Sequence, residues 1–81
     1  MYTILIGDDD AERQIADLSD DEIDALLEVY DVLRLTPDNG RKLGSGNMLV
    51  WDHRTLQVIY FVLEPQGEVV ILRVNRFPEL T

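Results

Sequence analysis

The strongest constraint on the fold is a helix-start signal in the first third of the chain. Residues 19–22 are Ser-Asp-Asp-Glu, a capping box in which the Ser19 hydroxyl can accept a hydrogen bond from the Glu22 amide while the Glu22 carboxylate accepts one from the Ser19 amide. Leu18 and Ile23 occupy the two positions of a hydrophobic staple on either side of this start. These signals predict a helix that begins directly after Ser19.

The residues that follow this start have the period of a helix with one apolar face. Apolar side chains recur three and four positions apart, and charged residues occupy the opposite face. The apolar positions are Ile23, Leu26, Leu27, Tyr30 and Leu33. Pro37 cannot continue a helix, so we expect this one to end near Leu35. Its single apolar face requires a second layer of structure to cover it.

The rest of the chain predicts one more helix and four strands. A short helix is expected at about residues 10–17, after a run of acids that suits a helix start. Runs of β-branched, aromatic and other apolar residues predict strands at 2–6, 48–51, 56–63 and 69–74. The order is βααβββ, and the last three strands must pair antiparallel because their connections are tight. We therefore predict one α+β domain, residues 1–81, with two N-terminal helices packed on a small antiparallel sheet.

The alternation of side chains along the last strand predicts which face the helices cover. Val70, Leu72 and Val74 alternate with a second set that ends in Arg73. Successive residues of a strand point to opposite faces of the sheet. We expect the helices to cover the face of Val70, Leu72 and Val74, with Arg73 on the other face.

Charge divides the chain into an acidic part and a nearly neutral part. The sequence has 16 acidic residues and a net charge of −9. Residues 1–31 hold eleven of these acids and one cation, Arg13. Most acidic helix faces are simply solvated, but such a face also attracts basic partners. A docking surface for a basic segment, centred on Asp24, Glu28 and Asp31, is the alternative hypothesis for this face.

Composition narrows the class of protein. The absence of cysteine excludes a disulfide framework and a thiolate metal site. The longest apolar run, residues 58–63, is far shorter than the ~20 residues of a membrane helix, and residues 1–3 lack the positive start of a signal peptide. No phosphate-binding or dinucleotide motif is present. We predict a cytoplasmic protein with no cofactor and no membrane partner.

Acidic residues near the N-terminus suggest a metal site only weakly. Asp8, Asp9 and Asp10 could offer oxygen ligands to a hard cation. The glycine and the distal glutamate of a calcium loop are missing, and acids at a helix start favour the helix itself. We therefore predict no metal site.

The candidate functional residues lie outside the acidic helices. The cations are Arg41, Lys42, His53, Arg54, Arg73 and Arg76. An arginine can bind two phosphate oxygens at once, and a histidine suits acid–base chemistry near neutral pH. Trp51 and Tyr60 could stack on nucleic-acid bases. The simpler alternatives are solvated surface for the arginines and the lysine, a turn position for His53, and the core for the two aromatic residues.

Several short strings, in this order of elements, resemble the RelE/ParE superfamily of toxins from type II toxin–antitoxin pairs. They are residues 11–18 (AERQIADL), the set Pro37, Gly40, Lys42 and Leu43, residues 58–60 (VIY) and residues 70–74 (VILRV). The resemblance covers almost the whole chain. It implies a cytoplasmic toxin, associated with plasmid stabilisation, that a cognate antitoxin neutralises. RelE-like members cut messenger RNA on the ribosome, and ParE-like members inhibit DNA gyrase.

The resemblance and the residue chemistry together define a predicted site. We assign catalysis to Arg73, Arg76 and Lys42, and RNA binding to Arg41, Lys42, Arg54 and Tyr60. The sequence departs from the family at Gln57, where the related string has an arginine, and the tail at residues 77–81 lacks a terminal tyrosine.

Two hypotheses follow from the site and its departures. The first is a RelE-like ribosome-dependent endoribonuclease. The second is a non-enzymatic binding module on the same fold, either a gyrase inhibitor or a catalytically silent homologue. Exposed strand edges also predict pairing with an antitoxin segment or a homodimer.

Overall fold

The computed structural model describes residues 1–76. Its elements are β1 (Thr3–Ile6), α1 (Asp9–Ala16), α2 (Asp20–Leu35), a 3-10 turn (Pro37–Asn39), β2 (Arg41–Lys42), β3 (Leu49–His53), β4 (Leu56–Leu63) and β5 (Glu68–Arg76). Both predicted helices and the four predicted strands are present, and the two-residue strand β2 was not predicted. The tail at 77–81 lies outside the described residues. Within the described part, neither helix has the length and apolarity that crossing a membrane requires.

The five strands form one mixed sheet in the order β1-β5-β4-β3-β2. Strands β2 to β5 pair antiparallel with their neighbours, as the tight connections predict. The prediction of a wholly antiparallel sheet is wrong at one pair, because β1 runs parallel to β5. No hairpin joins these two strands; the intervening chain includes both helices, and a long connection of this kind permits parallel pairing.

The start of α2 has the geometry that the capping box predicts. The Ser19 amide donates to Glu22 Oε1 at 2.8 Å, and the Glu22 amide donates to Ser19 Oγ at 3.3 Å. The buried residues of this helix are Ala25, Leu26, Val29 and Leu33. They pack on the sheet and form a core with Leu56, Val58, Tyr60, Val69, Ile71 and Val74.

A β-bulge in β5 explains why the face prediction for this strand was wrong. Tyr60 of β4 pairs with Ile71, whereas Ile59 pairs with Arg73, so Leu72 has no counterpart. The extra residue changes which side chains share a face before and after the bulge. Val69, Ile71 and Val74 therefore belong to the core together, and Arg73 is exposed, as predicted.

Candidate functional site

The register of the sheet divides the predicted site residues between two faces. Residues opposite each other on neighbouring antiparallel strands point to the same face. One row across the sheet consists of Arg41, Val50, Ile59 and Arg73, and the next row on the same face consists of Asp52, Gln57 and Asn75. We call the face that carries these two rows the outer face, because the α2 core lies on the opposite side.

The remaining cations lie on the α2 side of the sheet. Lys42 is opposite Leu49, which packs against the core. Arg76 is opposite Leu56, a fully buried core residue. The predicted catalytic set of Arg73, Arg76 and Lys42 is therefore not brought together. Only Arg41 and Arg73 of the predicted site share the outer face.

Arg76 connects the end of β5 to the junction of the two helices. Its Nε donates to Glu22 Oε2 at 2.6 Å, and its Nη2 donates to the Asp17 carbonyl oxygen at 2.7 Å. The hydrogen bond from Arg76 is the main cause that lowers the pKa of Glu22 from 4.5 to about 2. The guanidinium thus has a structural role, since its donors bind groups of the protein itself.

Arg54 and His53 both contact one carboxylate of α2. His53 Nε2 lies 2.8 Å from Glu28 Oε1, and Arg54 Nε lies 3.0 Å from the same oxygen. The hydrogen bond to His53 lowers the pKa of Glu28, and Arg54 lowers it further. Arg54 also has a positive φ of 55° at the tight β3–β4 turn. An RNA phosphate would therefore have to compete with Glu28 for the Arg54 guanidinium, whose ion pair holds the turn against α2.

The two arginines of the outer face make weaker contacts. Arg41 Nη2 lies 3.2 Å from Asp52 Oδ2, and Arg73 Nη2 lies 3.8 Å from Asp10 Oδ2. Their side chains keep 60% and 49% of their surface exposed. Surface pairs of this kind contribute about 0–1 kcal/mol, so a phosphate could replace the carboxylates. Lys42 forms no ion pair with any other residue in the described range 1–76.

Tyr60 is buried, and the prediction that it stacks on RNA is wrong. Its side chain has 0% exposure, so its ring has no face available to a base. The hydroxyl donates to the Pro37 carbonyl oxygen at 2.7 Å and accepts a hydrogen bond from the Gly40 amide at 3.1 Å. It therefore fixes the turn that precedes Arg41. Trp51 likewise packs against the core.

A network of side-chain amides on the outer face was missed at the sequence level. Gln14 of α1 accepts from the Val74 amide at 2.8 Å and donates to Asn75 Oδ1 at 3.3 Å, and Asn75 Nδ2 donates to Gln57 Oε1 at 3.5 Å. Gln57 is an amide in the otherwise apolar strand β4 and pairs with Asn75 of β5. The amide in β4 is the signal that could have identified the network. Amides donate and accept hydrogen bonds but do not ionise, so they can position a ligand without acting as an acid or base.

Solved structures with the same arrangement identify the fold. The isolated E. coli RelE toxin matches with a TM-score of 0.83 and 14% identity, over 99% of this chain and 88% of that chain. A chain of the intact E. coli RelBE toxin–antitoxin complex matches with a TM-score of 0.81 and 14% identity, over 98% of this chain and 100% of that chain. A chain of the RelBE2 toxin–antitoxin complex from Mycobacterium tuberculosis matches with a TM-score of 0.78 and 23% identity, over 93% of this chain and 96% of that chain. No protein-family model and no curated protein matches the sequence.

These similarities define the class to which the domain belongs. It is an α+β domain with a mixed five-stranded sheet and two helices. More specifically, it has the RelE fold over nearly its whole length. The resemblance that the sequence suggests is thus confirmed at the level of the fold.

Proposed function

We propose that this chain is the toxin of a type II toxin–antitoxin pair, acting in the cytoplasm and neutralised by a cognate antitoxin. The observation that carries the proposal is the agreement in fold with RelE proteins across almost the entire chain, including chains from RelBE toxin–antitoxin complexes. The proposed partner is therefore an antitoxin of the RelB kind.

Cleavage of messenger RNA on the ribosome is the first candidate for the toxic activity. Arg41 and Arg73 support it, because both are exposed and share a row on the outer face. Three strand spacings of about 4.8 Å place their backbones about 14 Å apart, so they suit two separate phosphates of one RNA strand. A strand bound between them would cross Val50 and Ile59 of the same row, with the amides of Gln57 and Asn75 in the next row. Of the residues assigned to catalysis from the sequence, Arg73 is the one retained here.

A non-enzymatic binding module is the second candidate, and the electrostatics of the site favour it. Gln57 occupies the outer face where the related sequences have an arginine, and Asp52 lies in the same row. Arg76 and Arg54 are bound to carboxylates of the helices. A surface with so little unpaired positive charge binds phosphate weakly, since phosphate contacts supply much of the affinity for nucleic acid. A gyrase inhibitor or a catalytically silent homologue fits this candidate.

Induction of the chain alone in a bacterial host tests the proposal. The wild-type chain should arrest growth, and the pair Arg41→Ala/Arg73→Ala should relieve the arrest if the outer face binds RNA. Arg13→Ala/Arg34→Ala is the matched control, because it removes the same charge from side chains of the two helices rather than of the sheet. Messenger RNA integrity and DNA supercoiling are followed over the same interval.

Each outcome of this experiment separates the candidates. Arrest with cleaved messages that only the outer-face pair relieves supports the ribonuclease. Arrest with altered supercoiling and intact messages supports a gyrase inhibitor. A harmless wild-type chain that reaches normal levels in the cell contradicts the toxin proposal and leaves the silent binding module.

A further inference from the structure

One side of α2 is exposed along the full length of the helix. The residues Asp20, Asp24, Leu27, Asp31 and Leu35 are all exposed and follow one another at spacings of four, three, four and four. We call these five residues the α2 ridge. Spacings of three and four keep side chains on one line of a helix surface and are those of a seam between two packed helices. At 1.5 Å per residue the ridge is about 22 Å long.

Two leucines of the ridge expose an unusual amount of apolar surface for this helix. Leu27 is 51% exposed and Leu35 is 69% exposed, whereas their neighbours Leu26 and Leu33 are 2% and 0% exposed. Leu27 and Leu35 are eight residues apart, so about 12 Å of helix separates them. A single exposed leucine needs no explanation. Two on one line, with an acid between them, form an amphipathic strip that a partner helix could cover.

The charge of the ridge determines the chemistry of its occupant. In the described range, Asp20 and Asp24 form no ion pair, and Asp31 pairs with Arg34 at 3.0 Å while remaining 76% exposed. The whole chain carries a net charge of −9, so an acidic segment would be repelled from this surface. A basic segment would be attracted, because complementary charge favours encounter and orientation. The leucines would then contribute the apolar contact.

We infer that the α2 ridge binds a basic amphipathic helix of the partner protein. Two apolar side chains of that helix, seven or eight residues apart, pack beside Leu27 and Leu35, and its lysines and arginines face Asp20, Asp24 and Asp31. This inference rests on the proposed function, since the partner is the proposed antitoxin, and it specifies the chemistry of the segment that docks. It leaves the outer face of the sheet free.

A synthetic helical peptide tests the inference directly. The probe has about 16 residues, to match the ridge at 1.5 Å per residue, with two leucines eight apart and lysines on either side of them. Titration calorimetry with the full chain should give binding, and amide shifts on titration should concentrate at residues 20–35. Leu27→Ala/Leu35→Ala should weaken binding about tenfold without changing charge, as expected when the central apolar contacts of an interface are removed.

Charge variants separate docking on the ridge from general attraction to an acidic protein. Asp24→Asn/Asp31→Asn should weaken peptide binding about tenfold, equivalent to 1.4 kcal/mol. Asp9→Asn/Glu12→Gln removes the same charge from exposed positions of α1 and should change it by less than about threefold. A thermal melt of each variant checks that the fold is retained. We expect it to be retained, because all of these positions are exposed.

Two results would overturn the inference: equal weakening by the two charge pairs, or full binding after both leucines are truncated. The first would mean that the peptide binds by net charge alone, and the second that the leucines are not part of the contact. These outcomes are independent of the proposed function. If the chain is harmless on induction but binds the peptide at residues 20–35, the docking surface stands and the toxin proposal is contradicted. If the chain is toxic but does not bind the peptide, the toxin proposal stands and the docking surface is contradicted.

Discussion

Removing the Tyr60 hydroxyl tests how the turn before β2 is held. Tyr60→Phe keeps the ring in the core but leaves the Pro37 carbonyl and the Gly40 amide without their partner, which lies 2.7 and 3.1 Å away. An unsatisfied buried polar group costs about 1–3 kcal/mol. The edge location of the turn gives water some access to it, so we expect a total loss of about 2 kcal/mol. In a domain of this size that corresponds to a fall in the melting temperature of about 8–16 °C.

Urea and thermal unfolding measure this loss, with Tyr30→Phe as the matched control. Burial raises the pKa of Tyr30 to about 12, but its hydroxyl has no hydrogen-bond partner among residues 1–76. We therefore expect the control to change stability by no more than about 0.5 kcal/mol. If Tyr60→Phe is no more destabilising than Tyr30→Phe, the hydroxyl does not hold the turn and the reasoning fails.

Three further predictions concern the turn and the Arg76 contacts. Gly40→Ala should lower the unfolding midpoint, because the new Cβ would lie 2.8 Å from the Val50 carbonyl oxygen. The same decrease is expected when the substitution is made in the Tyr60→Phe variant, and an unchanged midpoint would contradict this prediction. Since the pKa of Glu22 is lowered from 4.5 to about 2, its ionised form stabilises the folded state above about pH 4.5, and this stabilisation is lost as the pH falls toward 2. Glu22→Gln should therefore show a smaller decrease in unfolding free energy over that pH range, and a decrease equal to the wild type's would show that the pair is unimportant. Arg76→Lys keeps the charge but loses the planar fork, so it should lower the melting temperature, whereas Arg13→Lys at an exposed helix position should not.

The assignment of the cations shows where sequence reasoning stops. Arg41 and Lys42 are adjacent in the chain, and strand geometry alone places them on opposite faces once β2 is known to be a strand. The ion-pair partners of the other cations could not be predicted from the sequence. Arg76 pairs with Glu22, 54 residues earlier, and Arg54 pairs with Glu28, 26 residues earlier. Such pairings depend on how the helices lie on the sheet. The same acids that appear in the sequence as a solvated helix face thus neutralise part of the predicted site.

The sequence by itself determined the helices, four of the strands and their order, because capping, periodicity and turn chemistry act between residues close in the chain. The capping box at Ser19 and the stop at Pro37 required no knowledge of the rest of the molecule. The tertiary structure alone decided the parallel pairing of β1 with β5, the bulge at Leu72 and the burial of Tyr60. A bulge of one residue changes which side chains share a face, and whether an aromatic ring lies in the core or on the surface depends on what packs over it. The contacts open to each predicted site residue follow from that packing.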